Sequence, residues 1–249
     1  MAKAAVGIDI GGTGIKGAMV DVKDGKLLSD RIRRETPHGG RPDDMAEVVR
    51  DIVRELGAEK ELAIGICFPA VVVNGVAKSA ANVSKEWIGY DADAHFTKAL
   101  NRDVHMLNDA DAAGYAEAKF GAAKKQTGLT ILTTLGTGIG TALLYDGKLI
   151  PNSELGHLPI GETTAEKMAA FSVKERENLS WEAWAERLQK YYRLLEDLLV
   201  PDLFVVGGGV SKEHEFFLPL LELKTKIVPA ELKNAAGIIG AATLANKNK

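Results

Sequence analysis

The stretch Asp9-Ile10-Gly11-Gly12-Thr13-Gly14-Ile15-Lys16 decides the fold of this chain, because its centre occurs twice. Gly12-Thr13-Gly14-Ile15 is followed by Asp24-Gly25-Lys26-Leu27, and Gly136-Thr137-Gly138-Ile139 is followed by Asp146-Gly147-Lys148-Leu149. Each copy also comes after a run of β-forming residues. Each therefore predicts a three-stranded meander with a glycine turn first and an Asp-Gly turn second.

The recurrence of this unit about half a chain apart predicts two duplicated α/β domains that flank a cleft, with one glycine turn in each. The two copies differ by two residues in the gap between their turns, so both keep the same face inward. We expect the turns to face each other and clamp phosphates. Two ordinary hairpins with chance similarity are the alternative, and eight matched residues in the same order make it the weaker one.

Composition limits the classes of protein that this chain can be. Its 249 residues, 46% hydrophobic and 26% charged, are typical of a soluble globular protein. A net charge of −3 gives no general attraction to nucleic acid or membranes, so binding of any polyanion needs a local basic patch. The single cysteine, Cys67, excludes an internal disulfide and a multi-cysteine metal site. Without a membrane-length apolar stretch or signal peptide, we expect a cytoplasmic protein.

Strands and helices are expected to alternate along the chain. Hydrophobic periodicity, Pro and capping residues predict the remaining elements. The predicted strands cover 62–68, 104–107 and 202–206, and the predicted helices cover 43–56, 91–100, 110–120, a long segment between Ser180 and Pro201, and 235–244.

The first glycine turn has the residues of a phosphate site. Gly11 and Gly12 let backbone N–H groups approach phosphate oxygens, and Thr13 adds a hydroxyl donor. Lys16 can reach a terminal phosphate as a point charge. Asp9, at the end of a strand, is placed to hold Mg²⁺ directly or through water.

Two further glycine clusters follow strands. Gly136-Thr137-Gly138-Ile139-Gly140 supplies the second phosphate turn. Gly207-Gly208-Gly209-Val210-Ser211 suits a nucleobase or ribose that lies against bare backbone. The second of these is less specific, because a Gly-Gly-Gly turn is also typical of tight packing.

Asp109 has two interpretations. At the end of a strand, its carboxylate can take a proton from a hydroxyl that attacks a phosphoryl group. Alternatively it only caps the following helix, a role for which Asn108 and Asp111 compete. The spacing leaves both interpretations open.

Glu154 and His157 stand three residues apart around a glycine, so both can converge on neighbouring hydroxyls of a sugar. A histidine alone is more often a satisfied core or surface residue. Trp87, Trp181 and Trp184 are interpreted as core or interface aromatics. Of the three, Trp87 is the best candidate to flank a sugar.

In these residues and their order, the chain resembles the ROK family of sugar kinases and repressors over nearly its whole length. Within that family it is most similar to the polyphosphate glucokinases. The motifs are specific in combination. They are Asp9-Ile-Gly-Gly-Thr-Gly-Ile-Lys16, Phe68-Pro69-Ala70-Val71-Val72, Ala80-Ala81-Asn82-Val83, Trp87-Ile88-Gly89, Leu107-Asn108-Asp109-Ala110-Asp111-Ala112-Ala113-Gly114, Thr134-Leu-Gly-Thr-Gly-Ile-Gly140, Pro151-Asn152-Ser153-Glu154-Leu155-Gly156-His157 and Asp202-Leu-Phe-Val-Val-Gly-Gly-Gly-Val-Ser-Lys212.

The resemblance implies an actin-like ATPase (ribonuclease H-like) fold. We expect a small α/β domain at 1–108, a large α/β domain at 109–234, and a C-terminal helix within 235–249 that packs back on the small domain. The implied reaction transfers a phosphoryl group from polyphosphate and ATP to the 6-hydroxyl of glucose, with Mg²⁺ and with Asp109 as general base. A homodimer is also implied.

The resemblance also implies which residues bind each substrate. The sugar-binding set is Asn82, Asn108, Asp109, Glu154, His157 and Glu166. The set for phosphate and nucleotide is Asp9, Gly11, Gly12, Thr13, Lys16, Thr134, Gly136, Thr137, Gly138, Gly207, Gly208, Gly209 and Lys212. Further cations that could bind polyphosphate are Lys124, Lys125 and the run Arg31, Arg33 and Arg34, although alternation on an exposed strand also accounts for that run.

Two departures from the family pattern stand out. Residues 158–180 contain none of the cysteines of the usual zinc loop, so we expect no structural zinc. Phe68-Pro69-Ala70 replaces the common Phe-Pro-Gly near the sugar.

Other functions stay in view. They are a strictly ATP-dependent glucokinase or a related hexose or mannose kinase, a non-catalytic sugar-responsive repressor, and an actin-like or chaperone ATPase. Asp9 comes too early for the N-terminal helix-turn-helix of the family's repressors, and an ATPase leaves Asn82, Glu154 and His157 without a purpose.

Overall fold

Two sheets organise the chain, which the computed structural model describes over residues 3–80 and 83–247. One unit comprises Met1–Ala116 with Ala235–Lys249, and the other comprises Glu117–Asn234. The predicted boundary between residues 108 and 109 stays a prediction. Helix α3 (Asp109–Phe120) begins there and runs across the division between the units.

The first unit contains a six-stranded sheet and the helices that cover it. Its strands are β1 (Ala4–Ile10), β2 (Gly14–Asp21), β3 (Lys26–Leu27), β4 (Ile32–Glu35), β5 (Ile64–Phe68), the short hairpin β6 (Val72–Val73) and β7 (Val76–Ala77), and β8 (Val104–Asn108). Its helices are α1 (Pro42–Glu55), α2 (Ala92–Leu100), most of α3, and α7 (Ala236–Lys247). The sheet order is β3-β2-β1-β5-β8, and β4 pairs with β2.

The second unit repeats this arrangement. Its strands are β9 (Leu129–Leu135), β10 (Ile139–Tyr145), β11 (Lys148–Ile150), the hairpin β12 (Pro159–Ile160) and β13 (Thr163–Thr164), β14 (Leu203–Gly207) and β15 (Lys226–Pro229). Its helices are α4 (Ala165–Ala169), α5 (Phe171–Arg176) and α6 (Trp181–Leu199). The main sheet has the order β11-β10-β9-β14-β15.

The two sheets have one topology. In each, an antiparallel meander is extended by two parallel strands on the far side of its first strand. The carboxyl ends of the parallel strands therefore lie at one edge in each unit, where ligands bind in open α/β sheets. The prediction of two meanders in a duplicated α/β fold is confirmed.

The C-terminal helix α7 completes the core of the first unit. A Cβ atom on Gly7 of β1 would overlap the backbone carbonyl of Ile238, and one on Gly65 of β5 would overlap that of Ala241. Glycines on the two central strands therefore allow the helix backbone to lie directly on the sheet. No helix in the described part of the chain is long and apolar enough to cross a membrane.

Candidate active site

Asp9 lies at the end of β1 between two side chains from its neighbouring strands. Its register partner on β2 is Lys16, whose Nζ lies 3.0 Å from Asp9 Oδ2. Its partner on β5 is Cys67, whose thiol donates to Oδ1 at 3.5 Å. Burial raises the pKa of the Cys67 thiol, and the Asp9 and Asp109 carboxylates raise it further, so the thiol stays protonated and can donate.

The first glycine turn connects β1 to β2 and is braced by its own backbone. The Gly11 N–H donates to the Gly14 carbonyl at 3.0 Å, and the Thr36 hydroxyl donates to the Gly11 carbonyl at 2.5 Å. Gly12 and Thr13 are exposed at the tip. The turn therefore presents backbone and a hydroxyl beside the Asp9–Lys16 pair, as a phosphate site requires.

Asn108 and Asp109 both accept backbone N–H groups at the start of α3. Asn108 is buried, and its Oδ1 accepts the backbone N–H groups of Ala110 and Asp111 at 2.8 and 3.0 Å. Asn108 therefore caps α3, while its Nδ2 donates to the Ala70 carbonyl at 3.2 Å. Asp109 accepts the adjacent Ala110 N–H and is partly exposed. Contact of Asn108 with a sugar stays a prediction.

The loop before α2 contains two of the residues singled out in the sequence. Asn82 lies outside the described residues. Trp87 has no exposed surface: its Nε1 donates to the Gly40 carbonyl at 2.9 Å, and its ring stacks on Phe96. The interpretation that Trp87 flanks a sugar is therefore wrong, and the ring belongs to the core of the first unit.

The second glycine turn, in the other unit, is fixed by side chains that follow β13. The Ile139 N–H donates to Glu166 Oε2 at 3.0 Å, and the Ser172 hydroxyl donates to the Thr137 carbonyl at 2.7 Å. Glu166 therefore lies against the turn, with its Oε2 engaged by the backbone. Ser172 was missed in the sequence, because one serine in a helical segment gives no local signal of this contact.

Glu154 and His157 lie together on the 3₁₀ turn Leu155–His157, with His157 Nδ1 3.6 Å from Glu154 Oε2. Thr141 of β10 holds this segment by donating to the Ser153 carbonyl and accepting the Leu155 N–H. Burial raises the pKa of the Glu154 carboxyl; His157 opposes this shift and Glu166 adds to it. Glu154 and His157, two of the predicted sugar-binding residues, are therefore neighbours.

The third glycine cluster continues β14 beside the second turn. Gly207 pairs with Thr134 in the parallel register of β14 and β9. A Cβ atom on Gly208 would overlap the backbone of Leu135, and Gly209 is exposed. Lys212 is exposed one turn further along, as are Lys124 and Lys125 in their own segment. Gly207 and Gly208 thus lie beside Thr134 and Leu135 at the ends of β14 and β9, and their contact with a nucleotide stays a prediction.

The described residues contain no group of three His, Cys, Asp or Glu side chains that could hold a metal. The chemistry of Asp9 nevertheless fits magnesium. Mg²⁺ keeps several waters and is commonly held by one or two carboxylates together with substrate phosphates. Asp9 provides one carboxylate beside a phosphate-type turn.

Comparison with known proteins decides the family. The model of the ROK family matches residues 5–172. This chain belongs to the ROK family. The turns, the capped strand end and the Glu154–His157 segment described above are therefore features of a ROK protein.

Several named proteins are similar to it over most of their length. A polyphosphate glucokinase of Mycobacterium tuberculosis is 46% identical over 95% of this chain and 89% of its own. A polyphosphate glucokinase of Mycobacterium leprae is 45% identical over 95% and 72% of the two chains. The crystal structure of an inorganic polyphosphate/ATP-glucomannokinase from Arthrobacter sp. strain KM is 49% identical, with a TM-score of 0.94 and 99% coverage of both chains.

A more distant structure supports the fold alone. A ROK glucokinase from Streptomyces griseus, solved with glucose and AMPPNP, has a TM-score of 0.84 at 23% identity and covers 98% of this chain and 99% of its own. The predicted actin-like fold is confirmed by these sugar kinase neighbours.

Proposed function

We propose that this ROK protein is a sugar kinase that transfers a phosphoryl group from inorganic polyphosphate or ATP to the 6-hydroxyl of glucose. The observation that carries the proposal is 46% identity with a polyphosphate glucokinase across 95% of the chain. The arrangement of carboxylates, glycine turns and cations in each unit supports it.

Asp109 is proposed as the general base. As the glucose oxygen attacks phosphorus, Asp109 takes the hydroxyl proton, and the phosphoanhydride bond of the donor breaks. The products are glucose 6-phosphate and either ADP or a polyphosphate shorter by one unit. What supports this role is that Asn108 accepts two N–H groups at the start of α3, while the partly exposed Asp109 accepts only the adjacent Ala110 N–H among the hydrogen bonds described above.

The donor is proposed to bind at the glycine turns. Backbone N–H groups of the turns, Thr13 and Lys16 would contact phosphate oxygens, and Gly207–Gly209 would lie under the nucleoside of ATP. Asp9 would hold Mg²⁺ through one carboxylate oxygen or a water molecule. When bound, the ion neutralises charge on the donor phosphates.

Glucose is proposed to contact the sugar-binding residues implied by the resemblance, which besides Asp109 are Asn82, Asn108, Glu154, His157 and Glu166. A partly buried carboxylate that accepts a hydrogen bond from a sugar hydroxyl makes a charge-assisted hydrogen bond. The pairing of Glu154 with His157 supports this assignment, because it holds both groups on one short turn.

Mannose is a second candidate acceptor. The specific observation that favours it is 49% identity, over the whole chain, with a protein named as a glucomannokinase.

The proposal is tested by crossing acceptors with donors. Purified protein is incubated with glucose or mannose and with ATP or polyphosphate of defined length, and hexose 6-phosphate is quantified. We expect product from glucose with both donors. Turnover with ATP and none with polyphosphate of any length would reduce the function to an ATP-dependent glucokinase. Hydrolysis of ATP that glucose does not stimulate would favour the actin-like ATPase.

We also propose that the enzyme acts in the cytoplasm, where ATP is supplied, and that it is a homodimer. Leu198 and Val200, at the end of α6, are 59% and 77% exposed, and we choose Leu198 to test for a subunit contact there. Sedimentation velocity of the wild type and of Leu198→Asp gives the test: a monomeric wild type would contradict the dimer.

A further inference from the structure

Four polar side chains form a row across the sheet of the first unit. In the strand registers, Cys67 pairs with Asp9, Asp9 pairs with Lys16, and Lys16 pairs with Arg33 of β4. Residues that pair directly across strands project from the same face of a sheet. Arg33 is therefore the outermost member of the row that contains the Asp9–Lys16 ion pair.

The Arg33 guanidinium lies against the first glycine turn. A Cβ atom on Gly14 would come within 3.1 Å of Arg33 Nε and 3.3 Å of Nη2, closer than side chains normally approach. The missing side chain of Gly14 thus provides the space that the guanidinium occupies. The Thr36 hydroxyl, on the segment after β4, also binds the Gly11 carbonyl, so the end of this strand is tied to the turn.

Arg33 carries a positive charge that no neighbour neutralises. It is exposed and, within residues 3–80 and 83–247, forms no ion pair. Arg34, on the opposite face, pairs with Glu55, and Lys16 pairs with Asp9. Glu35 pairs with Gly14 in the strand register and lies on the same face of the sheet as Arg33. Within the described residues, Glu35 and Arg33 do not form an ion pair. The net positive charge of the row therefore sits at Arg33.

Arg33 is also remote from Asp109 along the sheet. The strand order places β4 four strands from β8, the strand that leads into Asp109. At about 4.8 Å per strand, this separation is about 19 Å. An anion that reaches from Asp109 to Arg33 must therefore be extended and repeat its charge along its length.

We propose that Arg33 binds a phosphate of inorganic polyphosphate upstream of the one that is transferred, and so favours long chains over ATP. The proposal rests on the function proposed above. The planar fork of a guanidinium matches two phosphate oxygens, and its attraction to a long polyanion falls with salt. ATP has three phosphates and then a nucleoside, so it offers Arg33 no such partner.

The test compares Arg33→Gln with Arg54→Gln, a substitution that removes the same charge from the exposed face of α1. We expect R33Q to raise KM for long-chain polyphosphate about tenfold, as for one lost charge-assisted contact. The KM for ATP should stay within about twofold, and the slope of log KM against log salt should fall by about one, as it does when a polyanion loses one cation contact. R54Q should change neither donor's KM.

A second variant displaces the Arg33 guanidinium without removing it. Gly14→Ala should displace the guanidinium and reproduce the loss with polyphosphate, and combining it with R33Q should add little. Equal losses with ATP and polyphosphate in R33Q, or unchanged KM for both, would overturn the role of Arg33. Failure of the proposed function is a separate result, because it appears as absence of polyphosphate turnover in the wild type.

Discussion

Glu117 accepts the backbone N–H of Leu232 at 2.8 Å across 115 residues of sequence. The same carboxylate accepts the N–H groups of Ala122 at 2.7 Å and Glu231 at 3.2 Å, and the side chain has no exposed surface. Burial raises the pKa of the Glu117 carboxyl, while these three hydrogen bonds oppose the shift. One side chain thus joins the end of α3 to the segment that precedes α7.

Glu117→Ala should lower the free energy of unfolding by about 3 kcal/mol, because it leaves three partly buried N–H groups without their acceptor, and an unsatisfied group costs about 1–3 kcal/mol when buried. Glu117→Gln keeps one acceptor oxygen and should lose less. Urea unfolding measures both. Glu186→Ala, on the exposed side of α6, is the control and should change stability by less than about 0.5 kcal/mol. Equal midpoints for Glu117→Ala and the control would contradict this structural role.

Asp109→Asn should lower kcat about 100-fold or more while glucose binding weakens far less, since the amide still bonds a hydroxyl. The measurement is initial rate with ATP, with glucose affinity by calorimetry. Asp91→Asn is a matched control, because Asp91 caps α2 through the Ala94 N–H and lies outside the proposed site. Wild-type turnover in Asp109→Asn would return Asp109 to a structural role.

As the pH falls, glucose affinity should begin to decline at a higher pH than it would if Glu154 had the pKa of an ordinary glutamate. Burial raises the pKa of Glu154, so this carboxyl takes up its proton earlier as pH falls and can then no longer accept as a carboxylate. Calorimetry of glucose binding between about pH 4 and pH 8 tests it, spanning the ordinary glutamate pKa. Glu154→Gln should bind glucose more weakly and lose this pH dependence. If the wild type and Glu154→Gln have the same pH profile, a group other than Glu154 is responsible for it.

Removal of divalent metal with EDTA should abolish phosphoryl transfer, and Mg²⁺ alone should restore it. Asp9→Asn should raise the Mg²⁺ concentration that gives half-maximal rate, because a neutral amide binds the ion more weakly. Elemental analysis of the purified protein should show no stoichiometric zinc. Stoichiometric zinc in the purified protein would contradict the absence of a zinc site. An unchanged Mg²⁺ concentration for half-maximal rate in Asp9→Asn would contradict the role of Asp9.

Local signals predicted most of the elements. The Asp-Gly turns, Ser180 as the cap of α6 and the β-forming run before the first glycine turn act within a few residues, and the structure has a meander, a cap and a strand at these places. The edge strand β15 was not predicted, because a strand of four residues with one neighbour has little of its own pattern.

Contacts between distant segments could not be predicted. Whether Asn108 or Asp109 caps α3 depends on side-chain placement at one turn, which spacing does not determine. Trp87 stands in a polar loop, yet its ring is buried by Phe68 and Phe96 from other elements. Ser172 and Thr141 hold the proposed site through hydrogen bonds to segments 12 to 35 residues away.

The close seating of α7 on β1 and β5 has a consequence for synthesis. The first unit needs residues from both ends of the chain, whereas the second is continuous from Glu117 to Asn234. A ribosome delivers the continuous unit complete while the strands made first still have an uncovered apolar face. The strands of the first unit are thus synthesised first and covered last, and until α7 is made their apolar face is the part of the chain exposed to aggregation.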